Sequence, residues 1–392
     1  MKIITSLPMK FTTASMALQD LLGESLHEVE SSLQQSSDWW ENVVNGPNYS
    51  NQRWISDFRM SKDVFKKIVN SLRPMLSKKT TNMRATISTE KRVAITLWKL
   101  VTPNSYRAVA AQFGVGVLTV CVIVKEVCRA INGTLLHKVI CFKSIDTIMD
   151  GFKRHGSPHC MGAVYGSHIE IHAPEEEPEN YVCRKKYYSI VLQAVADSEL
   201  LFRDVYVGYA GSAHDSQILH SSPLFHRKYK GILRPDPVIV IDNMPVHPVL
   251  LGDKAYPQVP WLLRVYDDGE STAADRYNLR FNNCRNFVER AFGLLKGCFQ
   301  MLLKCADMRL DNAEEAVVTC CILHNVIQTD GQALNWNEDA EPDAPDNNIQ
   351  VPDVGNIPRG VKLLGSAVRD SFCTHFEREH NMGIRWQPPQ PK

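Results

Sequence analysis

Three segments of one stretch, residues 164–296, decide the fold of this chain: GSAHDSQIL (211–219), LLGDKAYP (250–257) and NFVERAFGLLK (286–296). Asp215 and Asp253 each follow an apolar run and a turn that contains glycine, so both are predicted to lie at the ends of strands. Glu289 lies instead within a helical pattern of apolar residues. Carboxylates held by two strand ends and one packed helix can bind a hard divalent cation. The alternative is that they are ordinary surface acids among the 43 of the chain.

The elements around these acids predict a mixed α/β fold. Apolar, β-branched runs predict strands at 161–164, 189–195, 201–207, 238–241, 249–251 and 261–265. Helical patterns occupy 216–224, 283–300 and 312–328, and Asp311 with Glu314 forms a predicted capping box for the last of these helices. Strands first and helices interleaved later are typical of a mixed sheet covered by helices.

The segment before residue 156 is predicted to be all-helical. One helical pattern runs from Ile55 to Leu72, and a second begins near Ser88 and stops at Pro103. A compact helix-turn-helix pattern comes next. Ser105 begins a short helix, and Gly114 ends it with a positive φ.

The second helix of this motif, predicted from Val117 to Ile131, is almost entirely apolar at its start. Only Thr119 and Lys125 offer hydrogen-bonding groups there, whereas base edges and phosphates need donors and acceptors. The helix-turn-helix shape is therefore predicted, but sequence-specific DNA reading by this helix is not.

The charge is distributed unevenly along the chain, although the net charge is only +1. Residues 51–155 contain 19 Lys/Arg and 6 Asp/Glu, a difference of +13, whereas residues 330–357 contain seven acids and no Lys or Arg. A strongly basic segment favours a polyanionic partner, of which nucleic acid is the commonest. The alternative is that the acidic segment balances the basic one within the same molecule.

Cysteine usage and hydropathy restrict the class of protein. The 11 cysteines are odd in number and form no CxxC pair, which favours reduced thiols inside the cell over a disulfide framework or a structural zinc site. No apolar run approaches the length of a membrane span, so no membrane partner is expected.

These patterns predict five segments along the chain. Residues 1–50 are expected to be disordered or loosely helical. The other four are a basic, helix-turn-helix-like DNA-binding domain (51–155), a mixed α/β domain that carries the three acids (156–330), an acidic linker (331–360) and a C-terminal helix with its tail (361–392).

Six motifs in fixed order resemble the Harbinger/PIF-type transposases and the host proteins derived from them, such as the antagonist-of-heterochromatin-like proteins. The motifs are GAVYGSHIEI (162–171), RKKYYSIVLQAVAD (184–197), GYAGSAHDSQIL (208–219), LLGDKAYPQVPWLL (250–263), YNLRFNNCRNFVERAFGLLK (277–296) and CCILHN (320–325). The resemblance implies an RNase H-like DDE nuclease domain that cuts DNA with two divalent metal ions, Mg²⁺ or Mn²⁺.

The resemblance assigns catalytic and metal-binding roles to Asp215, Asp253 and Glu289. The family's first aspartate, however, is Tyr165 in this chain. A phenol is neutral at physiological pH and larger than a carboxylate, so metal binding and DNA cleavage are expected to be impaired. The resemblance also implies a nuclear (and cytoplasmic) location, DNA as partner, and a separate Myb-like DNA-binding protein as a candidate second partner.

Three further groups of residues are ambiguous. His168, Glu170 and His172 share one strand face and could bind a transition metal, but a polar outer face explains them more simply. His214, directly before Asp215, could orient phosphate or water, or be a structural turn residue. The segment CRKKYY (183–188) suits a grip on a DNA backbone but is equally well explained as an exposed basic turn.

Two functions from different classes follow. One is a metal-dependent DNA nuclease or transposase, which Asp215, Asp253 and Glu289 favour. The other is a domesticated, catalytically inactive adaptor that binds DNA or chromatin, which Tyr165 and the apolar second helix favour. The sequence favours the nuclease lineage with its activity impaired.

Overall fold

The computed structural model describes residues 39–77, 86–229, 238–267, 269–330, 357–384 and 386. Most of the predicted linker, residues 331–356, lies outside the described residues, and so do residues 1–38. The remainder of the N-terminal segment differs from the prediction. Trp40 and Tyr49 are buried, with 3% and 4% of their surface exposed, and the Trp40 ring packs against Phe58 and Phe113. Large aromatic side chains therefore extend the folded core to residue 39, ahead of the predicted start at residue 51.

The helical part contains six α-helices within the described residues. They are α1 (Asn51–Phe58), α2 (Lys62–Leu76), α3 (Thr89–Val101), α4 (Tyr106–Phe113), α5 (Val117–Val139) and α6 (Ile145–Arg154), preceded by a short π-helical turn at Trp39–Val44. Serine side chains begin four of them, because each accepts a hydrogen bond from the backbone N–H three residues later: Ser50, Ser61, Ser88 and Ser105.

The first predicted helix is two helices in the structure. Arg59 adopts a left-handed conformation with φ of 58°, which ends α1, and Ser61 then begins α2. The apolar pattern continues across this break, because Phe58 before it and Val64 after it are buried in the same core. The pattern therefore does not reveal that the helix is divided. Pro74 does not stop the helix but lies in the last turn of α2.

The helix-turn-helix pair has the predicted geometry. Gly114 ends α4 with φ of 62°, and α4 and α5 meet at 99°. Within the described residues no single helix is long and apolar enough to cross a membrane, and only this bent pair meets the length and composition criterion together.

A five-stranded mixed sheet follows, built from β1 (Cys160–Glu170), β2 (Ser189–Ala196), β3 (Phe202–Ala210), β6 (Val249–Leu251) and β7 (Leu262–Leu263). The strand order is β3-β2-β1-β6-β7. Strands β1, β2 and β3 are antiparallel neighbours, whereas β6 and β7 run parallel to β1. The strands β4 (Ile239–Ile241) and β5 (Met244–Val246) pair separately as a hairpin. The predicted mixed α/β fold with a preceding helical part is confirmed.

In the part of the chain that the structure describes, five more α-helices pack around the sheet: α7 (Asp215–Ser221), α8 (Pro223–Tyr229), α9 (Thr272–Cys298), α10 (Leu310–Thr329) and α11 (Arg359–Asn381). Helix α9 begins eleven residues before its predicted start, because Ser271 caps it through Ala274 N–H. The predicted capping box at Asp311 and Glu314 is wrong. Helix α10 is preceded by Arg309, and no side chain bonds to its first turn as a cap.

One large hydrophobic core contains residues of both the helical part and the sheet. A second, smaller core lies around Met161, Leu219 and Tyr256. Helix α5 packs against α10, where Thr319 Oγ1 donates to Asn132 Oδ1 at 2.9 Å. An ion pair joins Lys99 to Asp307 at 2.6 Å, with the lysine side chain only 4% exposed. The predicted division at residue 155 therefore runs through a continuous packed interior.

Candidate functional site

Tyr165, at the predicted position of the first metal ligand, lies in the middle of the central strand. It pairs with Ala194 across the β1–β2 ladder and is 5% exposed. Its ring packs edge-on against Phe292 of α9, with 5.8 Å between the ring centroids. The phenol is thus a packed part of the wall of the cleft described below.

Asp215 is the first residue of α7, which follows β3 after a short turn. Its carboxylate lies against the neighbouring residue of Tyr165: a Cβ atom placed on Gly166 would be 2.5 Å from Asp215 Oδ1. Strand β1 and helix α7 therefore bring Asp215 against Gly166, and Asp215 and Tyr165 line the same cleft although 50 residues separate them in the sequence.

Asp253 lies two residues after the end of β6, the parallel neighbour of β1. Its Oδ1 accepts a hydrogen bond of 2.8 Å from Ala255 N–H, which closes the turn after the strand. Burial raises the pKa of Asp253 and the Glu289 carboxylate adds to this, while the Ala255 N–H and Arg285 oppose it. The folded protein therefore disfavours the charged form of Asp253.

Tyr256 joins these groups and was not identified from the sequence. It is fully buried, and its hydroxyl has no hydrogen-bond partner among the described residues. Burial raises its pKa well above the usual value, and the carboxylates of Asp215 and Asp253 raise it further, followed by Tyr165. Two carboxylates and two phenols thus converge at one place. The available signal was that Tyr256 comes three residues after Asp253 in LLGDKAYP.

Glu289 lies on α9, and its carboxylate contacts two side chains of the same helix. Arg285 forms an ion pair with Glu289, with 2.8 Å between the guanidinium and Oε1, and these two side chains are 12% and 17% exposed. With the Asn286 amide turned so that its nitrogen faces the carboxylate, Asn286 donates to Oε2 at 3.2 Å. Glu289 is close enough to raise the pKa of Asp253. It is, however, absent from the residues that line the cleft beside Asp215 and Asp253.

An open cleft of about 1260 Å³ lies over Asp215 and Asp253. The segment 183–188 forms part of its rim, with Arg184, Lys185 and Lys186 among the lining residues. Lys254 and Arg285 add two more cations. The cleft therefore combines an acidic floor with a basic rim, and the predicted basic-aromatic segment lies at the candidate site.

His214 also lines the cleft, at the start of α7. Its Nδ1 accepts from Ser216 N–H at 3.3 Å and lies 2.8 Å from Ser216 Oγ. Burial lowers its pKa, and the charge of Arg184 lowers it further. The ring is therefore held neutral, and it supports the first turn of the helix that carries Asp215.

The acids, as arranged here, do not form a metal-ion ligand set. Among the described residues no group of three or more His, Cys, Asp or Glu side chains is placed to hold a metal ion. Tyr165 supplies no carboxylate, and both oxygens of Glu289 are occupied by Arg285 and Asn286. The assignment of Asp215, Asp253 and Glu289 as metal ligands stays a prediction. The alternative triplet of His168, Glu170 and His172 forms no such group either, and His168 Nδ1 lies 3.0 Å from Ser189 Oγ.

Helix α5 of the helix-turn-helix presents apolar side chains where a DNA-reading helix would present polar ones. Leu118 is 82% exposed, Val122 52% and Val117 41%. Lys125 is paired with Asp311 at 3.5 Å. The exposed surface at the start of α5 is thus apolar, as its sequence predicts.

Comparisons with known proteins agree with this architecture. Residues 164–325 match the model of a family described as DDE superfamily endonuclease, and residues 31–133 match a domain of unknown function. The Arabidopsis thaliana protein named antagonist of like heterochromatin protein 1 is 29% identical over 363 residues, 87% of this chain and 89% of its own length. A second Arabidopsis thaliana protein, named ALP1-like, is 27% identical and covers 75% of each chain. HARBI1 of Xenopus laevis, named as a candidate nuclease, is 26% identical over 47% of this chain and 51% of its own length.

Residues 164–325 belong to the DDE endonuclease superfamily, and the chain is similar to Harbinger-derived transposase proteins. The family match begins at Val164, one residue before Tyr165, and contains Asp215, Asp253 and Glu289. No solved structure matches the chain. The relatives of the chain are transposase-derived, nuclease-like proteins.

Proposed function

We propose that this protein binds DNA through a DDE-type cleft whose cutting activity is impaired, and that it acts in the nucleus. The observation that carries the proposal is the buried Tyr165 beside Asp215 and Asp253. Two dications need negative charge from shared ligands. A phenol on the central strand offers none at physiological pH.

The pairing of Glu289 strengthens the proposal. Arg285 places a fixed positive charge next to the third acid, 2.8 Å from its carboxylate. A metal ion would have to compete with this guanidinium and with the Asn286 amide for the same oxygens. A chain with one neutral ligand position and one occupied carboxylate is expected to bind divalent ions weakly, so Asp215, Asp253 and Glu289 remain the candidate catalytic residues of an impaired centre.

The basic groups support DNA as the partner. Lys/Arg exceed Asp/Glu by 13 over residues 51–155, and the cleft rim adds Arg184, Lys185 and Lys186. An excess of cations in the helical part and further cations at the cleft rim suit a long polyanion, because each phosphate contact releases counterions from DNA. This geometry favours nucleic acid over a small acidic substrate.

A second candidate is an inactive adaptor on chromatin. One relative is named for antagonism of a heterochromatin protein, which suggests a chromatin-linked role. The exposed apolar turn of α5, around Leu118 and Val122, suits contact with protein better than with DNA. The Myb-like partner implied by the resemblance stays a prediction.

Two assays on the full chain test the proposal. We expect little or no nicking of supercoiled plasmid with Mg²⁺ or Mn²⁺, together with duplex binding that falls steeply with salt. Replacing Arg184, Lys185 and Lys186 by alanine should lower the slope of log K against log salt by up to about 2.7. The control is Arg309→Ala, an arginine that is 88% exposed and away from the cleft.

Efficient metal-dependent cleavage by the unmodified chain, lost in Asp253→Ala, would contradict an impaired centre and favour an active nuclease. Duplex affinity that is insensitive to salt would contradict DNA as the partner. If the chain binds DNA but does not cleave it, the result is consistent with both the impaired nuclease and the chromatin adaptor. The response of Tyr165→Asp to metal, described in the Discussion, then distinguishes them.

A further inference from the structure

One face of α9 forms a polar wall of the cleft. The lining residues recur every three or four positions along this helix: Asp275, Asn278, Leu279, Asn282, Arg285 and Asn286. This spacing places them on a single helical face. Helix α9 thus presents a continuous stripe of side chains to whatever occupies the cleft.

Hydrogen bonds within the protein commit most of the amides on α9. The Asn278 side chain accepts from Tyr266 N–H at 2.9 Å and donates to Tyr266 O at 3.2 Å. Asn283 donates to the carbonyl of Leu279 at 2.9 Å, and Asn286 donates to Glu289. Each of these amides stabilises its own surroundings.

Asn282 is different. Its side chain is exposed, it lines the cleft, and its amide bonds to no other described residue. Leu279, one turn earlier on the same face, is 57% exposed. An uncommitted donor-acceptor pair beside an exposed apolar side chain offers both the polar and the apolar contact that a nucleobase needs.

We propose that Asn282 recognises an adenine of DNA lying in the cleft. The proposal rests on the DNA binding proposed above. A side-chain amide offers one donor and one acceptor side by side, which match the N7 acceptor and N6 donor of adenine. The basic rim at 184–186 would hold the backbone, and Leu279 would contact the base. Helix α9 would then supply the base reading that the apolar start of α5 does not offer.

The experiment selects sequences from randomised DNA pools with the full chain, the Asn282→Ala variant and the Asn283→Ala variant. Asn283 is the matched control, because it is the adjacent asparagine and its amide turns back onto α9. One arm uses duplex pools and the other uses single strands, so that a paired and an unpaired adenine are distinguished. We expect the unmodified chain to fix an adenine at one position. Asn282→Ala should reduce the preference at that position by roughly 5- to 100-fold, and Asn283→Ala should leave it unchanged.

Three results would overturn the inference. In the first, Asn282→Ala retains the adenine preference. In the second, Asn282→Ala weakens binding equally for all sequences, which identifies a backbone contact rather than a base contact. In the third, neither pool yields a preferred position while salt-sensitive binding persists, which leaves the proposed DNA binding intact. If the unmodified chain binds no DNA at all, that result would instead contradict the proposed function itself. Equal melting temperatures of the three proteins would confirm that each variant is folded.

Discussion

The carboxylate of Asp215 lies directly against the backbone of Gly166, so that a Cβ atom on this glycine would be only 2.5 Å from Oδ1. No real Cβ atom approaches an oxygen this closely without a shift of one of them. The position next to Tyr165 must therefore lack a side chain for α7 to bring its first residue against the central strand. Gly166 therefore contributes to the site by leaving room for the Asp215 carboxylate.

Gly166→Ala should displace Asp215. Because the contact is with the end of a side chain, the carboxylate is expected to rotate away, at a cost of about 1–3 kcal/mol in unfolding free energy. Chemical denaturation measures the loss. Gly293→Ala is the control, since nothing lies within 4 Å of its Cβ position. Equal stability of Gly166→Ala and the unmodified chain would show that α7 can move without cost.

Tyr165→Asp should increase the affinity for divalent ions. The substitution adds a carboxylate beside Asp215 and Asp253, where like charges repel unless a cation binds. Stabilisation by Mn²⁺, measured as a rise in melting temperature, should approach about 2.7 kcal/mol at a hundred times the dissociation constant. Tyr165→Phe removes only the hydroxyl and should gain nothing. An equal response of the unmodified chain to Mn²⁺ would contradict the role given to Tyr165.

Asp253→Asn should stabilise the fold in a pH-dependent way. Burial raises the pKa of Asp253, so the fold favours its protonated form. The stability from this group is fully present below the ordinary value of 3.8 and is lost as the pH rises through the raised value. The variant keeps an oxygen to accept the Ala255 N–H and carries no charge. Its unfolding free energy should exceed that of the unmodified chain at neutral pH, and the difference should shrink on acidification.

The control for this prediction is Asp267→Asn, a substitution of a carboxylate that is 84% exposed. It should produce no comparable gain at neutral pH. A neutral or destabilising effect of Asp253→Asn at pH 7.5 would show that the Asp253 charge is compensated by its surroundings.

Glu289→Gln should destabilise the chain by about 1.5–3 kcal/mol, because Arg285 would lose a charged partner in a largely buried place. A double-mutant cycle with Arg285→Met measures the coupling between the two side chains. The matched control is Arg276 with Glu377, a pair whose side chains are 32% and 34% exposed. Its coupling should lie below about 1 kcal/mol. Equal coupling in both pairs would contradict the special role of Arg285.

Local chemistry made the helix-turn-helix and the sheet predictable. The Ser105 hydroxyl and the positive φ of Gly114 act on adjacent backbone groups, so their effects can be read directly from the residues. The fully buried strand β2 is recognisable because all its residues, from Ser189 to Ala196, face packed layers.

Where local signals are weak, the prediction was wrong. Arg59 adopts the left-handed conformation without an intrinsic preference for it. Neither this residue type nor the apolar pattern therefore indicates the break between α1 and α2. The start of α9 was missed because residues 272–282 are mostly polar, and this segment is helical through packing against α11. Two ion pairs join these helices, Arg276 with Glu377 and Arg280 with Glu379.

The sequence by itself determined the family resemblance, the type of sheet and the identity of the candidate acids, including the tyrosine at the first position. Only the tertiary structure decided how those side chains are arranged. It placed the buried Tyr256 close enough to Asp215 and Asp253 for their charges to raise its pKa, paired Glu289 with Arg285, and left Asn282 facing the cleft. The reason is physical. Residue types and local periodicity are properties of the chain, whereas burial, charge pairing and access to the cleft arise between segments that only packing brings together.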